Sequence, residues 1–556
     1  MSIKNSSSKL SIMNKPTKKL LFVVSCCILI VFTAICQSQA QNKYKVIPYP
    51  SSMTENEGEF VFAKKMGISI VKDVKYTEIL LLFIQQFKAV SGIELSINSK
   101  EKQGIVVKIN PNIADEGYQL TVTKKDVTIE VASPAGLFYS LATLRQLLPN
   151  EIFASKYQNI KWAIPCVKIS DAPAFGYRGA LLDVSRHFMP VEFVCKFIDL
   201  LAQYKMNRFH WHLTDDQGWR IEIKKYPLLT TVGSIRRETL VGHGKSKPRV
   251  FDCTEYKGYY TQDEIKQVVA YAQKRFITII PEIDIPGHSL AALAAYPALG
   301  CSGGPYEMGT YWGVFNDVLC PKDTTIRFYE NVLSEIIDLF PSKYIHIGGD
   351  ECPKIRWKNC AHCQQLIKEK GLKDEHQLQC YFMTKIEGFV NSKGRSIIGW
   401  DEMLDGGLTP NATIMSWRNE KGGIKAARSN HNTIMCPNKY CYLDHYQEPK
   451  DKAPLAFGGD TPLKAVYDYN PIPDTLEVDK RKYIQGVEAC LWTEYLPTGK
   501  QVEYMSFPRM TAIAEVGWTP SEKKNWDNFY SRLQTEFIRF DLMGVNACQF
   551  ERKTKK

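Results

Sequence analysis

Eight short β-rich runs separated by amphipathic helical stretches occupy residues 179 to 491, and that alternation leaves very few folds open. The runs fall at 179–184, 208–213, 278–283, 344–347, 396–400, 413–416, 433–436 and 486–491. Between the first two, Val194, Phe197, Ile198 and Leu201 follow the helical period. Before the third, Thr261-x-x-Glu264 is a capping box that opens a helix, and before the fourth Phe328, Val332, Ile336 and Leu339 mark another. Strands that alternate with helices build parallel sheets, so eight such units predict an α/β fold, a (β/α)8 barrel, over residues 171–545. One link is irregular: about ten residues separate the fifth and sixth runs, too few for a helical crossover.

Polar residues gather where those runs end. The ends read Asp183-Val-Ser-Arg186-His187, His212-Leu-Thr-Asp215-Asp216, Glu282-Ile-Asp284-Ile-Pro-Gly-His288 and His346-Ile-Gly-Gly-Asp350-Glu351. They continue as Trp400-Asp401-Glu402, Trp417-Arg418 and Glu488-x-x-x-Trp492-x-Glu494. Barrel enzymes take their catalytic groups from the C-terminal ends of different strands. Carboxylates beside tryptophans at a barrel mouth suggest carbohydrate, because indole faces stack on the apolar faces of pyranose rings while acids and Arg bond to hydroxyls. Taken singly, Trp400, Trp417 and Trp492 would be read as core; their shared position beside acids and bases reads as a sugar-stacking wall.

Asp350 and Glu351 follow Gly348-Gly349, which allow backbone geometry that a side chain would block. Ordinary glycosidases set two carboxyls on opposite sides of the scissile bond, roughly 5 Å or more apart. Adjacent residues are poorly placed to straddle a sugar, which favours one acid with a nucleophile supplied elsewhere. A kinked backbone could still spread the pair.

The motif His346-Ile-Gly-Gly-Asp350-Glu351 resembles the signature of glycoside hydrolase family 20, the β-N-acetylhexosaminidases. The likeness extends through Gly179-x-x-x-Asp183-x-Ser-Arg186-His187, Trp211-His212-Leu-Thr-Asp215-Asp216-Gln-Gly-Trp219-Arg220, Pro281-Glu-Ile-Asp-Ile-Pro-Gly-His288, Trp400-Asp-Glu, Trp417-Arg, Tyr442-x-Asp444 and Trp492-x-Glu494. It implies an exo-enzyme that releases terminal β-linked GlcNAc or GalNAc with retention and no cofactor. The family is an exception to the two-carboxylate scheme, because the substrate's 2-acetamido oxygen is the nucleophile. By this resemblance Glu351 is the general acid and then the base. Asp350 would orient the acetamido N–H, and Tyr442 would donate to its oxygen. Trp400, Trp417 and Trp492 would enclose the sugar; Arg186, Asp444 and Glu494 would bind its hydroxyls; Asp215 and His288 would tune the acid. Asp216 is expected in a supporting role, with Arg178 and Arg220 as structural ion-pair partners.

Two rival readings remain open on the residues alone. His210-x-His212 places two imidazoles on one face of a strand, and with His288, His346, Asp284 and Asp350 they could form a metal-dependent hydrolase. A carbohydrate-binding protein that has lost catalysis is the other. The loops 230–260, 301–320 and 438–483 are expected to shape subsites beyond the terminal sugar.

The rest of the chain frames this core. Residues 44–165 read as a small α+β domain with a supporting role, with β-runs at 104–109, 119–122 and 127–131 and a helix over 134–148. At the start, Lys15, Lys18 and Lys19 precede an apolar run from Leu20 to Ile35 and then Ser38-Gln39-Ala40, the pattern of a secretory signal peptide over residues 1–40. Export to the periplasm or medium is expected, with a lipoprotein anchor at Cys36 disfavoured by the bulk of Ile35, and no later segment looks transmembrane. Subtracting the leader's five lysines from the net charge of +12 leaves +7, part of it in a basic tail over 546–556. No basic run is interleaved with aromatics, which speaks against nucleic acid. Of the sixteen cysteines, Cys26, Cys27 and Cys36 lie in the leader and thirteen remain. Cys352, Cys360 and Cys363 cluster, but Cys360-x-x-Cys363 has no second pair nearby, so thiols or a disulfide are expected rather than a metal. Cys301 and Cys320 bracket a loop and could pair.

Overall fold

The computed structural model describes residues 44–553 except 72, 101, 102 and 408. The expected leader lies outside these residues. Eight parallel strands close into a barrel in chain order: Tyr177–Asp183, Arg208–His212, Thr278–Ile285, Tyr344–Gly348, Ser396–Trp400, Thr413–Ser416, Thr433–Met435 and Ile484–Leu491, the last pairing with the first. Their apolar runs do not alternate because both faces are covered: every residue of Tyr177–Asp183 is buried. The helices sit where the periodicity places them, at Val191–Gln203, Gln262–Gln273 and Asp323–Leu339. Thr261 and Glu264 bond reciprocally as the capping box requires. Among the described residues, the short link between strands five and six holds only the 3-10 turn Asp401–Leu404.

Charge replaces aliphatic packing in the barrel interior. His210, His212, Glu282, His346 and Glu488 are all fully buried. Glu282 accepts from His212 Nδ1, lies 3.1 Å from His210 Nε2 and 2.8 Å from His346 Nδ1, and accepts from Trp400 Nε1 at 2.9 Å. His210 Nδ1 is 2.8 Å from Glu488 Oε1. Burial alone would neutralise these imidazoles, but Glu488 and Glu282 push His210 up to about 9. His210 and His212 thus face carboxylates inside the barrel, beneath the cavity described below, whereas His346, with only Nδ1 at Glu282, is pushed down to about 4 by burial.

The small domain is a seven-stranded sheet in the order Ser52–Val61, Ala163–Asp171, Tyr118–Val122, Val127–Val131, Gln103–Ile109, Lys65–Ser69, Glu94–Ile97. Its second strand carries the domain to Asp171, beyond the sequence-based limit at residue 165, because this strand pairs on both sides. The helix Pro134–Leu147, capped by Ser133, is buried on most of its surface. Its ring contacts reach past the sheet, Phe138 to Phe276 and Tyr139 to Trp518. Charge ties the two domains together. Lys205 Nζ lies 3.1 Å from Asp171 Oδ2, both side chains fully buried, and Arg178 pairs with Glu116 at 3.0 Å. Breaking such a buried pair on one side costs about 3–5 kcal/mol.

Two expectations need correction. Arg220 is structural but makes no ion pair among the described residues: its guanidinium donates to the carbonyls of Ser185, Ser234 and Gly258, stitching loops at the barrel mouth. The 546–556 segment is not a free tail throughout, since Ala547 and Cys548 are buried and Cys548 N–H bonds to Phe507 O at 3.0 Å. Among the described residues no helix is long and apolar enough to cross a membrane.

Candidate active site

Every barrel strand delivers a side chain to one cavity of about 200 Å³ at the C-terminal face. Arg186 follows the first strand, Asp215 the second, His288 the third, and Asp350 with Glu351 the fourth. Trp400 ends the fifth strand and Trp417 follows the sixth. Tyr442 and Asp444 come after the seventh, Trp492 and Glu494 after the eighth. All the residues singled out for the site in the sequence therefore share one cavity wall.

The backbone at the pair is strained by design of the turn. Gly348 and Gly349 take φ of 66° and 100°, and Glu351 follows at φ 40°. A Cβ on Gly348 would fall 1.6 Å from Asp284 Oδ1, so no larger residue fits without moving that acid. A glutamate in the left-handed region costs of order 1–3 kcal/mol and persists only where surrounding contacts hold it. His288, the residue that faces Glu351, is itself at φ 45°.

A line of alternating acids and imidazoles runs from the barrel interior to the cavity. His212 Nε2 lies 3.0 Å from Asp215 Oδ2, and His288 Nδ1 lies 3.2 Å from Asp215 Oδ1 and 3.0 Å from Asp216 Oδ2. His288 Nε2 then faces Glu351 Oε2 at 3.5 Å and Asp350 Oδ2 at 3.7 Å. Asp216 also accepts from the Leu290 N–H, which fits its expected supporting position. Although burial opposes its charge, His288 is held well above the usual imidazole range by Asp215, Asp216 and Glu351.

The two adjacent carboxyls respond in opposite directions. Glu351 is held below the ordinary carboxylate range, first by its bond to His288. Asp350 is pushed up to about 7 by burial and by the charges of Glu282 and Glu351, against the pull of His288. Asp350 Oδ1 is buried and has no hydrogen-bond partner among the described residues. The same holds for Asp444 Oδ1, and burial with the neighbouring Glu494 raises Asp444 well above its usual range. Two acceptors are thus left for a ligand's donors.

The aromatic residues form a box. Trp400 and Trp492 have ring centroids 5.9 Å apart, Tyr442 and Trp492 6.3 Å, and Trp417 stacks on Tyr442 at 6.0 Å. Trp400 is pinned through Nε1 by Glu282, Trp417 by Glu402 at 2.8 Å. Arg186 lies over the Trp492 ring at 5.2 Å while pairing with Asp215 at 2.8 Å and Asp183 at 3.3 Å.

Several wall residues were not singled out beforehand. Gly313 and Val314 come from the 301–320 loop, and Asn438, His445 and Phe457 from the 438–483 loop. These loops carry no periodic signal, and only their length marked them. The 230–260 loop stays off the cavity wall but braces it, with His243 Nε2 3.1 Å from the Phe457 carbonyl. His210, His212 and His346 do not line the cavity but sit in the barrel core, while Asp284, His288 and Asp350 of the rival metal reading do come within 4.8 Å of one another.

Comparison with known proteins agrees with this geometry. Residues 175–521 match glycosyl hydrolase family 20, catalytic domain, and residues 43–172 match glycosyl hydrolase family 20, domain 2. A β-hexosaminidase of Porphyromonas gingivalis is 45% identical over 543 residues, covering 95% of this chain and 68% of that protein. Among solved structures, the N-acetyl-β-hexosaminidase of Streptomyces plicatus in complex with Thio-NAglucal superposes with a TM-score of 0.80 at 31% identity, over 91% of this chain and 96% of that one. The GH20 exo-β-N-acetylglucosaminidase of Vibrio harveyi in complex with N-acetylglucosamine gives 0.80 at 34% identity, over 91% and 78%. With both domains matched and the barrel mouth assembled from the same motifs, the chain belongs to glycosyl hydrolase family 20.

Proposed function

We propose that this chain is an exo-β-N-acetylhexosaminidase that releases a terminal, non-reducing β-linked N-acetylhexosamine by substrate-assisted catalysis. The observation that carries this reading is the unequal carboxylate pair: Glu351 faces His288 and is 41% exposed, while Asp350 is pressed into the floor with one oxygen unpartnered. Both carboxyls approach the same His288 nitrogen, at 3.5 Å and 3.7 Å, an arrangement that suits serving one sugar from the same side.

In this reading Glu351 protonates the glycosidic oxygen while the substrate's acetamido oxygen attacks the anomeric carbon. Asp350 accepts the acetamido N–H on its free oxygen, and its negative charge balances the oxazolinium that forms. Glu351, now a carboxylate, takes a proton from the water that reopens the ring, so the β-configuration is retained. Free Glu351 is held in its ionised form by His288; a sugar seated over its half-exposed carboxyl removes water from it and raises its affinity for the proton. The aromatic box stacks on the ring and its methyl group, and Asp444, Glu494 and Arg186 receive the outer hydroxyls.

The test pairs a chromogenic β-N-acetylglucosaminide with the matching β-glucoside. Turnover of the first and a rate lower by orders of magnitude on the second is the expected result. Comparable rates on both rule out substrate assistance, and binding without turnover leaves a lectin. Export is a separate proposal, supported by the lysine-led apolar run and the small residues ending at Ala40. Amino-terminal sequencing of protein recovered outside the cytoplasm checks it: a start at Gln41 supports cleavage there.

A further inference from the structure

The lone C-x-x-C of the sequence acquires a second pair in three dimensions. Cys360 and Cys363 open the helix Ala361–Glu369, and the two ends of the 301–320 loop bring Cys301 and Cys320 against them. Cys301 Sγ is 3.8 Å from Cys363 Sγ, Cys320 Sγ is 3.6 Å from Cys363 Sγ and 4.0 Å from Cys360 Sγ, and all four sulfurs lie within 4.8 Å of one another. A tetrahedral ion with metal–sulfur bonds of about 2.3 Å holds its sulfurs about 3.8 Å apart. A disulfide would bring two of them to about 2.05 Å. Cys301, Cys320, Cys360 and Cys363 form no disulfide among the described residues, so the expected pairing of Cys301 with Cys320 is not what the fold shows.

We propose that Cys301, Cys320, Cys360 and Cys363 form a structural zinc site that pins the 301–320 loop beside the catalytic turn. Four sulfurs at tetrahedral spacing with no open position suit Zn²⁺ in a structural role. On binding, the four thiols release four protons to solvent and the metal keeps its oxidation state. The ligands come as a chelating i, i+3 pair at a helix N-terminus, where partial positive charge favours thiolate, plus one ligand from each end of the loop. The Lys322 ammonium, bonded to the Ala298 and Gly300 carbonyls, adds positive charge next to Cys301.

The surroundings show what the ion would stabilise. Cys320 and Cys363 are buried in a small cluster of their own with Val318, Cys352, Trp357 and Leu378, separate from the main barrel core. The 301–320 loop contains no helix or strand, and a long irregular segment inside a domain needs anchoring. Its middle residues Gly313 and Val314 line the active-site cavity, and Cys352 of the cluster directly follows Glu351. One ion would therefore fix both the loop and the base of the catalytic turn.

Metal analysis of the full-length protein, purified without chelator, tests this. One zinc per chain is expected, lost in Cys363→Ser and in Cys320→Ser but retained in Cys380→Ser, whose thiol bonds to the Gly407 carbonyl instead. A second measurement needs no variant to fold: titrating the native protein with a mercurial should release one zinc as four thiols react. A disulfide joining any two of the four cysteines in a non-reducing peptide map overturns the proposal. So does iron in place of zinc, or a reduced chain that fails to take up one equivalent of zinc.

Discussion

His288 Nε2 lies 3.5 Å from Glu351 Oε2, and this contact governs how the acid titrates. The His288 cation lowers both Glu351 and Asp350, and the two carboxyls, being in contact through it, titrate as a pair. Activity in the proposed mechanism needs one proton on Glu351 and none on Asp350. That one-proton state is lost as pH rises through the upper value, about 7 for Asp350, so kcat/KM of the native chain should fall above about pH 7. His288→Asn removes a positive charge from both carboxyls, and both limbs of the kcat/KM profile should move to higher pH. A profile that keeps its limbs in place while only its height drops would leave His288 with a purely steric role.

Asp350→Asn separates charge from shape. The amide fills the same space but cannot balance an oxazolinium, and losing one preorganised stabiliser of this kind costs about 10²–10³ in kcat. The alkaline limb should also move to lower pH, because Glu351 then titrates alone and lies below the ordinary carboxylate range. Glu351→Gln should cost about 10²–10⁴, the worth of general acid catalysis, with a smaller loss on substrates whose leaving group needs no proton. Rates within about threefold of the native chain in either variant would contradict the roles assigned.

How much of this was legible beforehand follows from the physics of each element. Parallel barrel strands are buried on both faces, so Tyr177–Asp183 and Ile484–Leu491 announce themselves as apolar runs, and the barrel geometry converts their trailing polar residues into one site. The short link at Asp401–Leu404 was visible from chain length alone. What stayed hidden depends on contacts between distant segments. Cys301 and Cys320 meet Cys360 and Cys363 only because the helix Asp323–Leu339 carries the chain away from the barrel mouth and the strand Tyr344–Gly348 brings it back there. The downward shift of Glu351 depends on His288, 63 positions earlier, and Arg220 found carbonyls where an acid was expected.

Asp444 predicts a proton balance on ligand binding. Its carboxyl is raised by burial and by Glu494, and Oδ1 lacks a hydrogen-bond partner among the described residues. Sugar hydroxyls that donate to it favour the charged form and lower its pKa, so binding should drive a proton off this group at any pH above the ordinary carboxylate range where the free chain still holds it. Calorimetry with N-acetylglucosamine in two buffers of different ionisation enthalpy measures the protons exchanged. The native chain should release more than Asp444→Asn; subtracting the two cancels any uptake by Glu351. Equal proton counts would place the sugar's donors elsewhere.

The charged barrel interior makes stability depend on alkaline pH. His210 is held at about 9, with Glu488 and Glu282 outweighing burial, and His212 is likewise well above its usual range. A histidine whose folded value exceeds its unfolded value of about 6.5 stabilises fully below that pH and loses the contribution as pH rises through the folded value. The thermal midpoint should therefore decline between about pH 6.5 and 9. Glu282→Gln leaves these imidazoles without their shared counter-charge, and removing one partner of a buried ionic cluster costs about 3–5 kcal/mol. At neutral pH the variant should melt well below the native chain, and its midpoint should vary less across the same window, because neutral imidazoles have no proton left to lose. A native midpoint that stays flat to pH 9 would mean the imidazoles are uncharged in the fold and that Glu282 is neutralised by other means.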